Sequence, residues 1–280
     1  MVELIAGLRA DVIRANLERL REQVAEAAQR CDRTRPRPHP RPGDAAGGGG
    51  GAGGGRVSGG EAGADSGRSD SGAGGGVSVS RGSDAAGSGG VEILAATKYV
   101  ACEDLPLLAQ AGVRLVGENR AQDLRAKVAA HGELFEWDFI GQLQSRRVRE
   151  IVPHVRLVHS LASESALHAL ARHRELARPG LAALVQVNVA GEAGKAGIAP
   201  AQLDAFLARC PVPVAGLMTM PPLSARAQDS RRWFAALREL ADERGLEHLS
   251  MGTSQDYLVA VEEGASIVRI GTSLYRDAGR

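Results

Sequence analysis

The chain has 280 residues, 44% of them hydrophobic and 24% charged, so it can bury a sizeable core once its low-complexity sequence is set aside. A formal charge of +1 and an aromatic content of 3%, with no basic block interleaved with aromatics, exclude a general affinity for nucleic acid or an anionic membrane. Cys31, Cys102 and Cys210 are widely spaced, make no zinc-binding pattern, and point to a reducing compartment without disulfides.

Met1-Val2-Glu3-Leu4 is neither basic nor followed by a long apolar run, and no stretch reaches membrane-spanning length. The expected location is the cytoplasm. Residues 4–29 carry Ile5, Leu8, Val12, Leu17, Leu20 and Val24 between charged residues, which predicts a helix with one buried face. The composition then changes abruptly. Residues 33–42 are Arg, Pro and His, and residues 43–90 are Gly, Ala, Ser and Asp with more than half of the chain's 36 glycines. Such sequence cannot bury enough apolar surface to offset its ordering entropy, so residues 32–90 read as a disordered insert whose arginines form a solvated basic patch. Gly48 to Gly53 fits G-x-G-x-x-G, but no strand precedes it and glycine repeats match that pattern by chance.

From Val91 onward short apolar runs at 91–97, 113–116, 137–140, 155–158, 182–189, 213–217, 247–250 and 267–270 predict strands. Segments of helical spacing fall between them at 105–111, 121–130, 145–152, 164–176, 203–208, 225–244 and 256–262. One helix per strand over this length is the arithmetic of a single α/β domain, a (β/α)8 TIM-type barrel at 91–276, with the helix of residues 1–31 added to it and a tail at 277–280. A doubly wound open sheet has the same alternation.

Polar residues stand at nearly every strand end, where an α/β barrel keeps its working face. Lys98 follows the first strand, Asn119 the second and His159 the fourth; Met218, Thr219 and Met220 close the sixth, Ser254 follows the seventh, and Arg269 lies in the eighth before Gly271, Thr272 and Ser273. A neutral lysine amine attacks a carbonyl to form a Schiff base, whereas an ordinary strand-end lysine snorkels to solvent. Ser254 before a predicted helix start, and the Gly271 turn, offer N–H and hydroxyl donors of the kind that hold phosphate, although each also reads as an ordinary cap or turn. Taken together with Lys98 on the adjacent strand, they imply a phosphorylated carbonyl ligand. No histidine pair has metal-ligand spacing, and Ala196 after Lys195 breaks the P-loop pattern that Gly191 to Gly197 begins.

Lys98 after an apolar strand, Gly117-Glu118-Asn119 with Gln122, Phe139-Ile140-Gly141-x-Leu143-Gln144, Val158-His159-Ser160, Gln186-Val187-Asn188, Lys195-x-Gly197, Gly216-Leu217-Met218-Thr219-Met220, Ser250-Met251-Gly252 with Ser254, and Val268-Arg269-Ile270-Gly271-Thr272 occur in one order. In that order they resemble the pyridoxal phosphate homeostasis protein family over residues 91–275. The resemblance implies a single barrel like the amino-terminal domain of alanine racemase, with pyridoxal 5'-phosphate held as a Schiff base on Lys98. It implies cofactor contacts from Asn119, His159, Met218, Ser254, Arg269, Gly271 and Thr272, with Arg269 at the pyridine nitrogen. An unprotonated pyridine is a poor electron sink, so carbanion chemistry is disfavoured. The implied role is vitamin B6 homeostasis by a monomer without established catalysis, with the cofactor itself and PLP-dependent apo-enzymes as partners. A PLP-dependent racemase, which needs a second acid/base opposite Lys98, and a cofactor-free Schiff-base aldolase are the alternatives. Asp138 stands where the family usually has histidine, Arg146-Arg147 where it has Asn-Lys, and Thr253 where methionine is common.

Overall fold

The computed structural model describes residues 4–34 and 90–276; apart from its ends, the insert read over 32–90 lies outside the described residues, as does the 277–280 tail. Helix α1, Ala10–Thr34, begins later than the apolar pattern suggests because Gly7 takes a φ of +69°, which a continuing helix does not allow. Its inner face is Ile13, Leu17, Leu20, Val24 and Ala27, spaced three and four apart and all buried. The segment before it is tied to the barrel, where the Ile5 N–H donates to the Tyr99 carbonyl at 2.8 Å.

Eight strands follow: β1 Glu92–Ala96, β2 Leu115–Glu118, β3 Glu136–Phe139, β4 Leu157–Leu161, β5 Ala182–Gln186, β6 Val214–Met218, β7 His248–Thr253 and β8 Ile267–Ile270. They form a closed barrel in sequence order, all neighbours parallel, and β8 returns to β1 with Leu94 opposite Arg269. Closure excludes the open sheet. The helices α2 Leu105–Gln110, α3 Ala121–His131, α4 Val148–Ile151, α5 Glu164–Arg172, α6 Leu203–Leu207, α7 Arg231–Asp242 and α8 Tyr257–Glu262 supply one crossover each, and a short α9, Thr272–Tyr275, follows β8.

Alternation along each strand divides the core in two. One set, including Ile93, Ala95, Trp137, Phe139, Val268 and Ile270, packs under the helices. The other fills the barrel with Leu94, Leu115, Leu157, Leu184, Ile267 and Met218. Strands β2 and β4 start two residues later than their apolar runs, because Val113 and Val155 already pack in the outer cluster while still in the turns that lead into the strands. The helix read over 225–244 is divided into a 3-10 turn at Ala227–Ser230 and α7.

Two features fix the loops after the strands. The buried Asn16 amide on α1 donates to the Leu274 and Arg276 carbonyls at 3.0 and 2.9 Å, clamping the segment after β8. Gly252 takes a φ of +89°, and a Cβ there would stand 2.6 Å from that of Ala260 and 2.9 Å from the Tyr257 Cα, so only glycine lets the end of β7 pass so close to α8.

Candidate functional site

A cavity of about 450 Å³ opens at the carboxyl ends of the strands, and Lys98, Asn119, Ser254, Arg269, Gly271 and Thr272 all line it. A cavity of this size suits a small organic ligand. His159 and Met218 do not line it. Met218 is buried among the interior leucines, and His159 is fully buried within β4. Tyr99, Ile140, Met220 and Gln255 also stand in the wall, with Ala96, Gly141 and Thr253. The sequence marks Met220 at the end of the sixth strand and Ile140 within the third-strand motif, neither as a ligand contact, whereas Tyr99 and Gln255 give no signal until their loops are placed.

The Lys98 ammonium lies over the Tyr99 ring, 4.6 Å from its centroid. The peptide carrying Lys98 is anchored from beneath. Lys127 on α3 is buried and donates to the Thr97 carbonyl at 2.8 Å and to the Glu118 carboxylate at 2.5 Å, and the Thr97 hydroxyl donates to the same carboxylate at 2.7 Å. On the other side the Tyr275 hydroxyl donates to the Ala96 carbonyl at 3.2 Å.

Across the mouth, the Ser254 Oγ accepts from the backbone N–H groups of Gly271 at 3.2 Å and Ser273 at 3.5 Å. Ser254 is therefore not the cap of α8, which starts three residues later at Tyr257; instead it joins the β7 and β8 loops. Thr272 lines the same cavity, and backbone N–H groups and hydroxyls gathered at such a turn are a donor set suited to an anion. A Cβ on Gly271 would meet only Ala96, at 4.0 Å, so the approach to this cradle is open.

Arg269 rises from β8 and is buried to 6% exposure. Its Nη1 donates to the Ser250 Oγ at 2.5 Å, and its Nη2 donates to the Thr219 carbonyl at 3.1 Å and faces the Met220 Sδ at 2.9 Å. Among the described residues no carboxylate lies within ion-pair distance of it. Burial pulls its pKa down to about 10, partly offset by the Asp256 charge, so it remains a cation at neutral pH.

A polar chain continues inward from Ser250. The His159 Nδ1 is 2.8 Å from the Ser250 Oγ and its Nε2 is 3.1 Å from the Asp138 Oδ2. Asp138 in turn accepts from Arg156 at 2.9 and 3.2 Å, and Arg156 forks onto both oxygens of Glu92 at 2.7 and 2.9 Å. Burial raises the Asp138 pKa, but the Arg156 charge and the His159 hydrogen bond outweigh it and hold the carboxyl down to about 2. Burial lowers the His159 pKa against the opposing pull of Asp138.

Residues 85–278 match the alanine racemase, N-terminal domain family. The pyridoxal phosphate homeostasis protein of Aquifex aeolicus is 39% identical over 195 residues, which cover 66% of this chain and 86% of that protein. The protein of the same name from Pseudomonas aeruginosa is 40% identical over 178 residues, 60% of this chain and 77% of its own. This chain belongs to the pyridoxal phosphate homeostasis protein family. Among solved structures, PipY of Synechococcus elongatus without PLP superposes with a TM-score of 0.62 at 34% identity over 67% of this chain and 94% of PipY. The PLP-bound form of PipY gives 0.58 at 32% identity, over 67% and 93%. The alanine racemase of Corynebacterium glutamicum, at 15% identity and a TM-score of 0.52, shares the fold of this family.

Proposed function

We propose that this chain binds pyridoxal 5'-phosphate covalently through the Lys98 amine and serves intracellular vitamin B6 homeostasis without turnover of its own. One observation carries the reading: a single cavity brings together a lysine amine, a permanent cation and a cradle of backbone and hydroxyl donors. These match the aldehyde, the pyridine ring and the phosphate of that cofactor, and the family relative PipY has been solved with PLP bound. When bound, the cofactor supplies an aldehyde that condenses with an amine and a pyridine ring able to accept electrons. Ser254, Gly271 and Thr272 would hold the phosphate, Arg269 would face the ring nitrogen, and Asn119 would meet the opposite edge. His159 and Met218 would act from beneath, supporting the floor on which the ring rests. A ring nitrogen facing a guanidinium stays unprotonated, so the electron sink that racemisation and decarboxylation require is weakened.

In this reading the chain is a cytoplasmic monomer that keeps a reactive aldehyde shielded and passes it to apo-enzymes. Among the described residues no helix is long and apolar enough to cross a membrane. The test is to load purified protein with pyridoxal 5'-phosphate, record its visible band, reduce with borohydride and locate the added pyridoxyl mass. The expected result is modification of Lys98 in the wild type and none in Lys98→Ala, whose circular dichroism is unchanged. A pyridoxyl group on another lysine, or turnover of amino acids by the loaded protein, would overturn the proposal.

A further inference from the structure

The interior polar chain has a direction that its chemistry fixes. Asp138 accepts from Arg156 and from the Leu157 N–H at 3.1 Å, and as a carboxylate it can only accept from the third neighbour, the His159 Nε2 at 3.1 Å. Nε2 must then carry the imidazole hydrogen, which leaves Nδ1 as an acceptor. The Ser250 hydroxyl, 2.8 Å away, gives its one hydrogen to Nδ1, so its oxygen is turned to accept from Arg269 at 2.5 Å. The opposite tautomer would set the Nε2 lone pair against a carboxylate oxygen and deprive the serine hydrogen of its acceptor. Protonation at both nitrogens is opposed by charge. With His159 neutral, Glu92 and Asp138 balance Arg156 and Arg269, and an imidazolium would add a third buried cation.

We infer that Asp138 is a positioning residue for the ligand site: through the His159 tautomer and the Ser250 hydroxyl it aims the Arg269 guanidinium at the mouth from a carboxylate that does not touch the cavity. The arrangement rests on the reading that a pyridine ring binds there, and it explains a property a direct ion pair would lack. An aspartate against Arg269 would hold the side chain equally well but would cancel the charge that the ring nitrogen meets. A carboxylate placed against the ring nitrogen itself would raise that nitrogen's pKa and favour its protonated form. Setting the anion three hydrogen bonds back orients the cation and leaves its charge for the ligand. Glu92 and Arg156 fix Asp138 in turn, so the chain runs from the first residue of β1 through the interior to the mouth.

Three measurements on the full chain decide this. Long-range proton–nitrogen correlation spectra of the 15N-histidine-labelled, ligand-free wild type, with His159 assigned by its loss in His159→Gln, are expected to show the Nε2–H tautomer from pH 5 to 8. An Nδ1–H tautomer or an imidazolium at pH 7 would overturn the inference without reference to any ligand. In the loaded protein, Asp138→Asn is expected to weaken retention of pyridoxal 5'-phosphate about tenfold, since one hydrogen bond to a charged group is misaligned. Its visible band should become pH-dependent between pH 6 and 9, where the wild-type band is constant. Ser250→Ala, which removes a single oxygen and carries no charge change, should shift affinity and band in the same sense; it decides the matter if Asp138→Asn does not fold. Wild-type affinity and a constant band in both variants would refute the role of Asp138. If the wild type itself takes up no cofactor, the ligand reading fails and the aim of Arg269 loses its meaning, an outcome told apart from the former by the wild-type spectrum alone.

Discussion

Lys127 offers a quantitative test of how the Lys98 peptide is held. Its ammonium and the Glu118 carboxylate are both sealed from water, at 7% and 0% side-chain exposure, 2.5 Å apart. Replacing Lys127 by methionine keeps the length of the stem but, among the described residues, leaves the Glu118 carboxylate with the Thr97 hydroxyl at 2.7 Å and the Asn119 N–H at 3.3 Å as partners. Breaking one side of a buried pair costs about 3–5 kcal/mol, because the remaining charge has lost its water and its counter-ion. For a domain of this size each kcal/mol moves the melting temperature by about 2–4 °C, so Lys127→Met should melt roughly 6–20 °C below the wild type. The companion change Glu118→Gln in the same chain removes the stranded charge and should recover most of the loss, although the Thr97 carbonyl still lacks its donor. Thermal denaturation by circular dichroism gives all four corners of the cycle. Equal losses in Lys127→Met and in the double variant would refute the reasoning, since the damage would then come from packing and not from an unpaired carboxylate.

Gly252→Ala must hold a φ of +89° with its Cβ 2.6 Å from Ala260, and a cost of about 2–4 kcal/mol is expected from strain and overpacking. Urea unfolding should show that loss together with weaker pyridoxal 5'-phosphate binding, because Ser254 stands two residues beyond it, in the turn that ends β7. Despite burial, the Asp138 carboxyl is held down to about 2 in the fold by Arg156 and the His159 hydrogen bond, below an unfolded aspartate, so its stabilising contribution is present above pH ~4 and is lost as the pH falls through about 2. Unfolding free energies measured from pH 5 down to 2 should fall less steeply in Asp138→Asn than in the wild type, since the remaining paired carboxylates still contribute. Asn16→Ala leaves the Leu274 and Arg276 carbonyls without their donor and should cost about 1–3 kcal/mol, with hydrogen exchange increasing after β8 before it increases elsewhere.

The alternation of buried strands and short helices was legible because each signal is local: every β/α unit hides its own apolar run, and a polar residue at a strand end stands out without knowledge of its neighbours. Lys98, Asn119, Ser254, Arg269, Gly271 and Thr272 could therefore be picked from one chain, and the closed barrel brings all six to one cavity. What could not be read is whatever depends on who faces whom. Asp138 lies in a strand, as the apolar run at 137–140 predicted, but nothing along the chain showed that it would be fully buried with Arg156, just before β4, and His159, within β4, as its partners. His159 itself was read as lying past its strand. The ladder continues to Leu161 because a polar side chain facing inward costs little when partners from β3 and β7 satisfy both ring nitrogens. Glu92, in an otherwise apolar strand, gave no hint that its partner would be Arg156, 64 residues away. The pattern is consistent: residues whose role is to meet solvent or ligand announce themselves along the chain, whereas residues that orient them are paired across strands and become visible only when the barrel closes. That is why the tautomer of one histidine, rather than any single contact at the mouth, is the most discriminating property to measure in this protein.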